Sequence, residues 1–199
     1  MRQQQFIDVA ARLFSQKGYH SVGINEISAA LGLSGPAIYR HYPSKEALLV
    51  AVLDDVVTSH LEEVRDIVSA DADPSASLQA VLEHHVDFAF QQAENIVTWR
   101  TELRSLPEAD RRRLRYLQRL YVEEWVRTLR KVRPELEEHE ARALCHGAIA
   151  VIQSPTEFHS ALPRERLRPL LVSMAAQVMA AAAPDHPGPA FFPATKGSS

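Results

Sequence analysis

The sequence has little of what several protein classes need. One cysteine, Cys145, stands among 199 residues, so an internal disulfide and a Cys-rich zinc site are both excluded. No apolar run approaches the roughly 20 residues that a membrane helix requires. The first residues carry no signal-peptide pattern, and motifs of phosphate loops, zinc proteases and serine hydrolases are missing. We therefore expect a cytoplasmic protein that is not an enzyme and needs no cofactor.

Two pairs of neighbouring residues invite a catalytic or metal-binding interpretation. Cys145 and His146 are adjacent, and adjacent residues of a helix point about 100° apart, which disfavours a nucleophile–base pair. The same reasoning applies to His84 and His85, because adjacent helical residues do not share a face. The sequence therefore predicts neither a catalytic residue nor a metal site.

The excess of one sign of charge is also small, but the charges are unevenly distributed along the chain. The net charge is -3. The first 49 residues carry a net +2, which leaves -5 on the remainder. The charged residues of this first part are Arg2, Arg12, Lys17, Arg40 and Lys45 against Asp8, Glu26 and Glu46. A basic head on an acidic body is a layout that suits a nucleic-acid-binding head.

The spacing of apolar residues predicts an all-α fold of about nine helices and no strand. Gly18 is expected to end the first helix in a left-handed conformation, and Gly32 to end the second. A helix-turn-helix domain is predicted over residues 1–49, and a helical ligand-binding and dimerisation domain over 50–183. Residues 184–199 contain four prolines and are predicted to form a disordered tail.

The segment Gly32–Lys45 has the residues that a groove-reading helix needs. Gly32 supplies a tight turn between two short helices, and the second helix of such a motif lies in the major groove. Arg40 is expected to pair with either a guanine or a phosphate, and free N–H groups at the next helix start favour a phosphate. The predicted base-facing residues are Ser34, Gly35, Pro36, Ala37, Tyr39, Arg40 and His41, and the predicted backbone contacts are Tyr42 and Lys45.

Phe6 to Leu49 resembles the DNA-binding domain of the TetR family of bacterial transcriptional regulators. The matching residues are Ala10, Leu13, Phe14, Gly18-Tyr19, Glu26-Ile27, Leu31-Gly32-Leu33-Ser34, Gly35, Ile38-Tyr39, His41-Tyr42 and Lys45-Glu46-Ala47-Leu48. Val22-Gly23 departs from the hydroxyl-bearing pair that is usual in the family, so one capping and phosphate-binding hydroxyl is missing. A chance three-helix unit without DNA contact is the alternative interpretation.

The resemblance implies a homodimer joined by the last two helices and a ligand pocket among the fifth to eighth helices. Such a dimer reads a pseudo-palindromic DNA site. The candidate lining residues are His85, Phe88, Trp99, Leu103, Tyr121, Trp125 and His146. A single aromatic residue at helical spacing is more often core than pocket, whereas the polar tips of His85, Tyr121, Trp125 and His146 together favour a pocket.

The arginine run Arg111–Arg115 is either a solvated helix face or a clamp for an anionic ligand. Val97 to Trp125 also resembles TetR-type regulators that sense acyl-CoA thioesters. We therefore expect a dimeric repressor that is released from double-stranded DNA by a small molecule, either an acyl-CoA or another hydrophobic ligand. A TetR-type activator and a helical ligand-binding protein that no longer binds DNA are the alternatives. The sequence leaves the effector, the operator and the number of dimers per operator open.

Overall fold

The computed structural model describes residues 3–33, 35–70, 73–158 and 160–182. Within these ranges the chain forms nine α-helices and no strand, which confirms the predicted all-α fold. The predicted tail, residues 184–199, lies outside the described residues. No helix in the described ranges is long and apolar enough to cross a membrane.

Four helices form the N-terminal part of the fold. Their bounds follow glycine, proline and serine signals, because Gly23 is the N-cap of the second helix and Pro43 separates the third from the fourth. The helices are α1 (Gln3–Lys17), α2 (Ile24–Ala30), α3 (Gly35–Tyr39) and α4 (Lys45–Ala70), with a 3₁₀ turn at Tyr19–Ser21.

Five further helices complete the fold. They are α5 (Pro74–Gln91), α6 (Ala93–Glu102), α7 (Glu108–Val132), α8 (Glu138–Gln153) and α9 (Arg164–Met179), with 3₁₀ turns at Leu103–Ser105 and Ser154–Thr156. Asp73 caps α5, where its carboxylate accepts the Ser75 N–H at 3.1 Å. Arg168 of α9 donates twice to Asp87 of α5, at 2.8 and 2.7 Å, and ties these two helices together.

Buried apolar side chains divide into two clusters. The head cluster is built on α1 to α4 around Phe6, Phe14, Ile27 and Ile38, and the body cluster is built on α4 to α9 around Trp125. The predicted boundary at residue 49 falls inside α4, which contributes buried side chains to both clusters. The division into domains at that residue therefore stays a prediction, and α4 is the continuous element that joins the two clusters.

Gly18 differs from the sequence-based expectation. Its φ of 79° is positive, but its ψ of 142° lies outside the left-handed helical region. The backbone leaves α1 extended and then enters the 3₁₀ turn, because Ser21 N–H donates to Gly18 C=O at 3.2 Å. Gly18 thus redirects the chain instead of closing α1 as a left-handed cap.

Candidate nucleic-acid interface and effector cavity

The turn between α2 and α3 is built around Gly32. Its φ is 68°, and its N–H donates to Ala29 C=O at 3.0 Å. The next N–H, that of Leu33, donates to Ser28 C=O at 2.8 Å. This pair of bonds is the Schellman arrangement, which satisfies the last carbonyls of a helix and favours glycine at the position of positive φ. The sequence therefore encodes the turn that places α3 against α2.

Helix α3 buries one side of its last turn and exposes the other. Ile38 is fully buried in the head cluster and fixes the rotation of the helix. Tyr39, Arg40 and His41 are exposed, and Ala37 is half-buried. Three of the predicted base-facing side chains thus project into solvent from one short segment, as contact with base edges requires.

Three other predicted base-facing residues stand at the start of this helix. Gly35 and Pro36 begin α3, where proline's missing N–H costs little. Ser34 lies outside the described residues. Contact of these residues with DNA stays a prediction.

Lys45 is engaged within the head. Its ammonium donates to Tyr19 C=O at 2.8 Å and to Val22 C=O at 2.9 Å, and it lies 4.3 Å from the centroid of the Tyr19 ring. A weaker contact to His20 C=O measures 3.5 Å. These bonds hold the 3₁₀ turn against the start of α4, so the predicted phosphate contact competes with a structural role.

Tyr42 is 4% exposed, and its hydroxyl is enclosed without a hydrogen-bond partner among the described residues. The ring packs edge-on against Phe6 at 6.1 Å. A phosphate reaches this hydroxyl only if the surrounding side chains move. The predicted contact of Tyr42 with the DNA backbone therefore stays a prediction, and it requires that the side chains around the hydroxyl move.

Arg40 stands directly after α3 and has no partner within the described part of the fold. Lys17, in contrast, forms an ion pair with Glu26. In the described part of the chain, no hydrogen bond or ion pair holds the Arg40 guanidinium. Its five donors are therefore free to meet a guanine edge or a phosphate.

A cavity of about 190 Å³ lies inside the body. Helices α4 to α8 all contribute to its wall, so it spans one helix more than the predicted set. The wall is formed by Val56, Val57, His60, His85, Phe88, Asn95, Ile96, Trp99, Arg100, Gln118, Tyr121, Val122, His146, Ile149 and Gln153. We call this space the inner cavity.

Five of the predicted lining residues lie along the inner cavity, and two do not. His85, Phe88, Trp99, Tyr121 and His146 form part of its wall. Leu103 packs against the head cluster, and Trp125 is fully buried in the body cluster. Their helical spacing was compatible with a pocket, but the rotation of each helix turns them toward the core.

Trp99 connects the inner cavity with the head. Its side chain lines the cavity and also packs against the head cluster. Leu106 and Leu114, which follow α6 in the chain, are buried in the same head cluster. A molecule that displaces Trp99 would therefore press on the packing of the head.

Three histidines from two helices form a hydrogen-bonded chain beside the cavity. The His60 ring contacts His84 Nε2 through Nδ1 at 3.0 Å and His85 Nδ1 through Nε2 at 2.9 Å. Tyr121 OH lies 2.8 Å from His85 Nδ1, and Glu63 Oε2 lies 3.3 Å from His84 Nε2. His84 and His85 thus act on one ring from two sides, contrary to the expectation that their adjacency keeps them apart.

His60 and His85 are neutral near pH 7. Burial, reinforced by the charge of His84, lowers the pKa of His85 to about 3. Burial also lowers the pKa of His60 well below its usual range, with His85 and His84 adding to the effect. Burial raises the pKa of the Tyr121 phenol, which stays protonated. His60 carries no sequence signal for this role, because only the packing of α4 on α5 brings it to His84 and His85.

The arginine run does not line the inner cavity. Arg111 and Arg112 pair with Glu108 on their own helix, and Arg113 pairs with Asp54 at 2.5 Å. These contacts favour the interpretation as a solvated helix face over an anion clamp. The arginine that does reach the cavity is Arg100, which pairs with Glu157.

Cys145 and His146 face different surroundings. Cys145 is fully buried, and burial raises the pKa of its thiol to about 12. His146 is exposed. The thiol is therefore protonated near pH 7, and the two side chains are placed as the sequence predicted, not as a nucleophile–base pair.

The last two helices present an apolar face to solvent. Leu170 is 44% exposed and Met174 is 42% exposed, one helical turn apart on α9. Gly147 of α8 lets α9 approach closely, since a Cβ there would lie 3.1 Å from Val178 Cγ1. This α8–α9 face is where the resemblance places the dimer contact.

Residues 6–52 match the family model described as bacterial regulatory proteins, tetR family. The transcriptional activator FasR of Mycolicibacterium smegmatis is 34% identical over 87 residues, which cover 44% of this chain and 40% of that protein. The transcriptional repressor KstR2 of Rhodococcus jostii is 25% identical over 122 residues, 61% of this chain and 59% of that protein. The matches thus span between two fifths and three fifths of these relatives.

Solved structures match over more of the chain. A TetR-family regulator from Bordetella parapertussis superimposes with a TM-score of 0.76 at 22% identity, over 88% of this chain and 95% of that one. Bacillus subtilis FadR in complex with stearoyl-CoA gives 0.72 at 17% identity, over 87% and 97%. These likenesses establish the shared fold. The family match identifies residues 6–52 as a segment of the TetR family of bacterial regulatory proteins.

Proposed function

We propose that the protein is a homodimeric, ligand-responsive regulator that binds a pseudo-palindromic operator through α3 and is released by a small molecule. The observation that carries the proposal is the contrast within the helix-turn-helix. Ile38 is buried and fixes α3, while Tyr39, Arg40 and His41 are exposed without a structural role among the described contacts. The exception is an aromatic contact of His41 with Phe6 at 4.9 Å.

The α8–α9 face supports the dimeric part of the proposal. Two recognition helices related by a two-fold axis read half-sites about 34–36 Å apart, or a multiple of that. Leu170 and Met174 provide exposed apolar area at one-turn spacing, and apolar patches on an otherwise polar surface mark interaction sites.

The inner cavity supports the response to a ligand. Trp99 lines the cavity and also contacts the head cluster. A ligand that moves this side chain therefore also changes the packing of the head. An effector shifts the equilibrium only through different affinities for the DNA-bound and released arrangements. We infer that the effector favours the arrangement in which Trp99 is displaced toward the head.

The cavity also limits the effector. About 190 Å³ is below the roughly 300–1,000 Å³ of sites for drug-sized ligands. A small acyl group fits the apolar wall, and Arg100 on that wall suits a phosphate or carboxylate outside it. The stearoyl-CoA complex of a protein with the same fold makes acyl-CoA thioesters the class to test first.

The test combines ligand binding with DNA release. Trp99 and Trp125 are the two tryptophans of the chain, so the variant W125F leaves Trp99 as the fluorescent reporter in the cavity. We expect a short-chain acyl-CoA to change this fluorescence and to lower the anisotropy of labelled promoter DNA over the same concentration range. W99F combined with W125F removes all tryptophan fluorescence and serves as the control. Absence of both responses with short-chain and long-chain thioesters would overturn the effector class but not DNA binding.

An activator is the second candidate function. FasR, which matches 87 residues at 34% identity, is named as an activator, whereas KstR2 is named as a repressor. Both use the same DNA-binding element, so the geometry of α3 fits either. A reporter fused to the chain's own promoter, measured with and without the gene, distinguishes increased from decreased transcription.

A further inference from the structure

An outer cleft of about 720 Å³ lies between α1, α4, α5 and α6, and it shares the lining residues Val56, Phe88 and Asn95 with the inner cavity. Acidic side chains predominate in its lining, where Arg12 is the one arginine beside six carboxylates. The acidic lining residues are Asp8, Asp55, Glu63, Asp66, Asp87 and Glu94. A cleft lined by one sign of charge concentrates counter-ions, which here are cations.

Three ligand atoms converge beside this cleft, where Glu63 and His84 form part of its lining. They are His60 Nδ1, His84 Nε2 and a carboxylate oxygen of Glu63, which lie within 4.8 Å of one another. His60 and Glu63 stand three residues apart on α4 and share a face, and His84 reaches them from α5. Imidazole nitrogen and carboxylate oxygen are ligands that zinc and related divalent transition ions accept.

The spacing of these atoms fits a single ion. Two ligands at about 2.0–2.1 Å from zinc lie about 3.3 Å apart when the coordination is tetrahedral. His60 Nδ1 and His84 Nε2 are 3.0 Å apart, and His84 Nε2 and Glu63 Oε2 are 3.3 Å apart. Two of the three separations therefore match tetrahedral coordination, and the third, which is at most 4.8 Å, closes through a movement of the Glu63 side chain.

The two contacts of His84 Nε2 compete for a single proton. His84 Nε2 carries at most one proton when neutral, yet it faces both His60 Nδ1 and the Glu63 carboxylate. A cation accepts all three lone pairs at once.

We propose that His60, Glu63 and His84 bind one divalent transition-metal ion of the zinc type between α4 and α5. Three protein ligands leave a fourth position open to water, which is the arrangement of exchangeable sites and not of closed structural ones. The proposal stands independently of DNA binding.

The second nitrogen of His60 connects this site with the inner cavity. A metal on Nδ1 leaves the proton of His60 on Nε2, which then donates to His85 Nδ1 at 2.9 Å. Metal-bound histidines commonly donate their other N–H in this way. His85 then carries its own proton on Nε2, 3.5 Å from the Gln153 amide group, which must turn its oxygen toward that proton to accept it. Metal occupancy thereby fixes the donors and acceptors that an effector meets.

Matched variants test the site in the full chain without an affinity tag. Glu63→Gln and His84→Gln each remove one ligand at a partly exposed position. Glu62→Gln is the neighbouring control on α4, and His139→Gln is the control for an exposed histidine on α8. The chelator-treated protein is titrated with Co²⁺, followed by its visible absorption, and then with Zn²⁺ by calorimetry.

We expect one ion per chain and a Co²⁺ spectrum of tetrahedral intensity. E63Q is expected to weaken binding about 10–100-fold and H84Q by about 100-fold or more, while E62Q and H139Q bind as the unaltered chain does. Circular dichroism shows whether each variant is folded. The proposal is overturned if no saturable binding is seen, or if folded H84Q binds as tightly as the unaltered chain. It is also overturned if the control variants lose as much affinity as the ligand variants.

Discussion

Lys45 shows how one residue serves a fold and a predicted interface at once. Its position after a helix-turn-helix suggests a phosphate contact, yet its ammonium meets three backbone carbonyls of the segment 19–22. Loss of the donor to a buried or half-buried carbonyl lowers the free energy of unfolding. The structure therefore predicts that Lys45 acts first on the stability of the head.

Replacing Lys45 with methionine keeps the length of the side chain and removes the donor. We expect K45M to lower the free energy of unfolding by about 1–3 kcal/mol, because hydrogen bonds to a charged donor are lost. Lys17→Met is the control, since it removes an exposed ion pair with Glu26 that contributes about 0.2–1 kcal/mol. Urea unfolding followed by circular dichroism measures both. If K45M unfolds like the unaltered chain and loses only DNA affinity, the phosphate contact is its main role.

Single residues also mark the limit of prediction from the sequence. Arg40 was recognisable because an exposed arginine after a Gly-Leu-Ser turn has few structural uses. Leu103 and Trp125 were expected to line a pocket that the resemblance implies among the fifth to eighth helices, but the structure packs them into the two clusters. His60 was missed because its partners stand 24 and 25 residues away on another helix. Which residues of neighbouring helices meet depends on helix rotation, which a period of 3.6 does not fix.

Gly32 sets the geometry of the helix-turn-helix. Its φ of 68° costs an ordinary L-residue about 1–2 kcal/mol. A Cβ at this position meets no atom within 4 Å, so the cost arises from the backbone alone. The stability of the turn therefore depends on whether the residue tolerates a positive φ and not on the size of its side chain.

Two substitutions separate these effects. We expect Gly32→Ala to lower the free energy of unfolding by about 1 kcal/mol or more, and Gly32→Asn to lower it less, because asparagine tolerates the left-handed conformation. Thermal or urea unfolding of the three proteins gives the ranking. Equal stability of G32A and G32N would contradict a backbone origin.

Most helix ends were predictable because local chemistry sets them. Pro43, Ser44 and Pro74 stand at helix starts or breaks, and the Ser44 hydroxyl accepts the Ala47 N–H at 3.0 Å as an N-cap. Gly18 was predicted less well, since a positive φ is compatible with more than one value of ψ. The local sequence thus determines where helices end, whereas tertiary packing determines how the chain leaves them.

The whole molecule combines a basic head, a cavity and an apolar face on α9. We propose that this face joins two copies, and Leu170→Glu tests it by placing a charge at its centre. We expect L170E to sediment as a monomer, since a desolvated charge is costly. Val97→Glu is the control, because Val97 is 40% exposed on α6, away from the face. If L170E is still a dimer in analytical ultracentrifugation, the dimer interface does not include this face.

The central claim is that α3 of a dimer reads operator DNA, and a footprint on the chain's own promoter region tests it most directly. We predict two protected half-sites about 10–10.5 base pairs, or a multiple of that, between centres. Arg40→Ala should abolish this protection or weaken it about 5–150-fold, as loss of a base contact does, without changing the unfolding transition. Arg130→Ala, an exposed arginine of α7, should leave the footprint unchanged. Equal protection by R40A and the unaltered chain, or no protection at any concentration, would contradict the account.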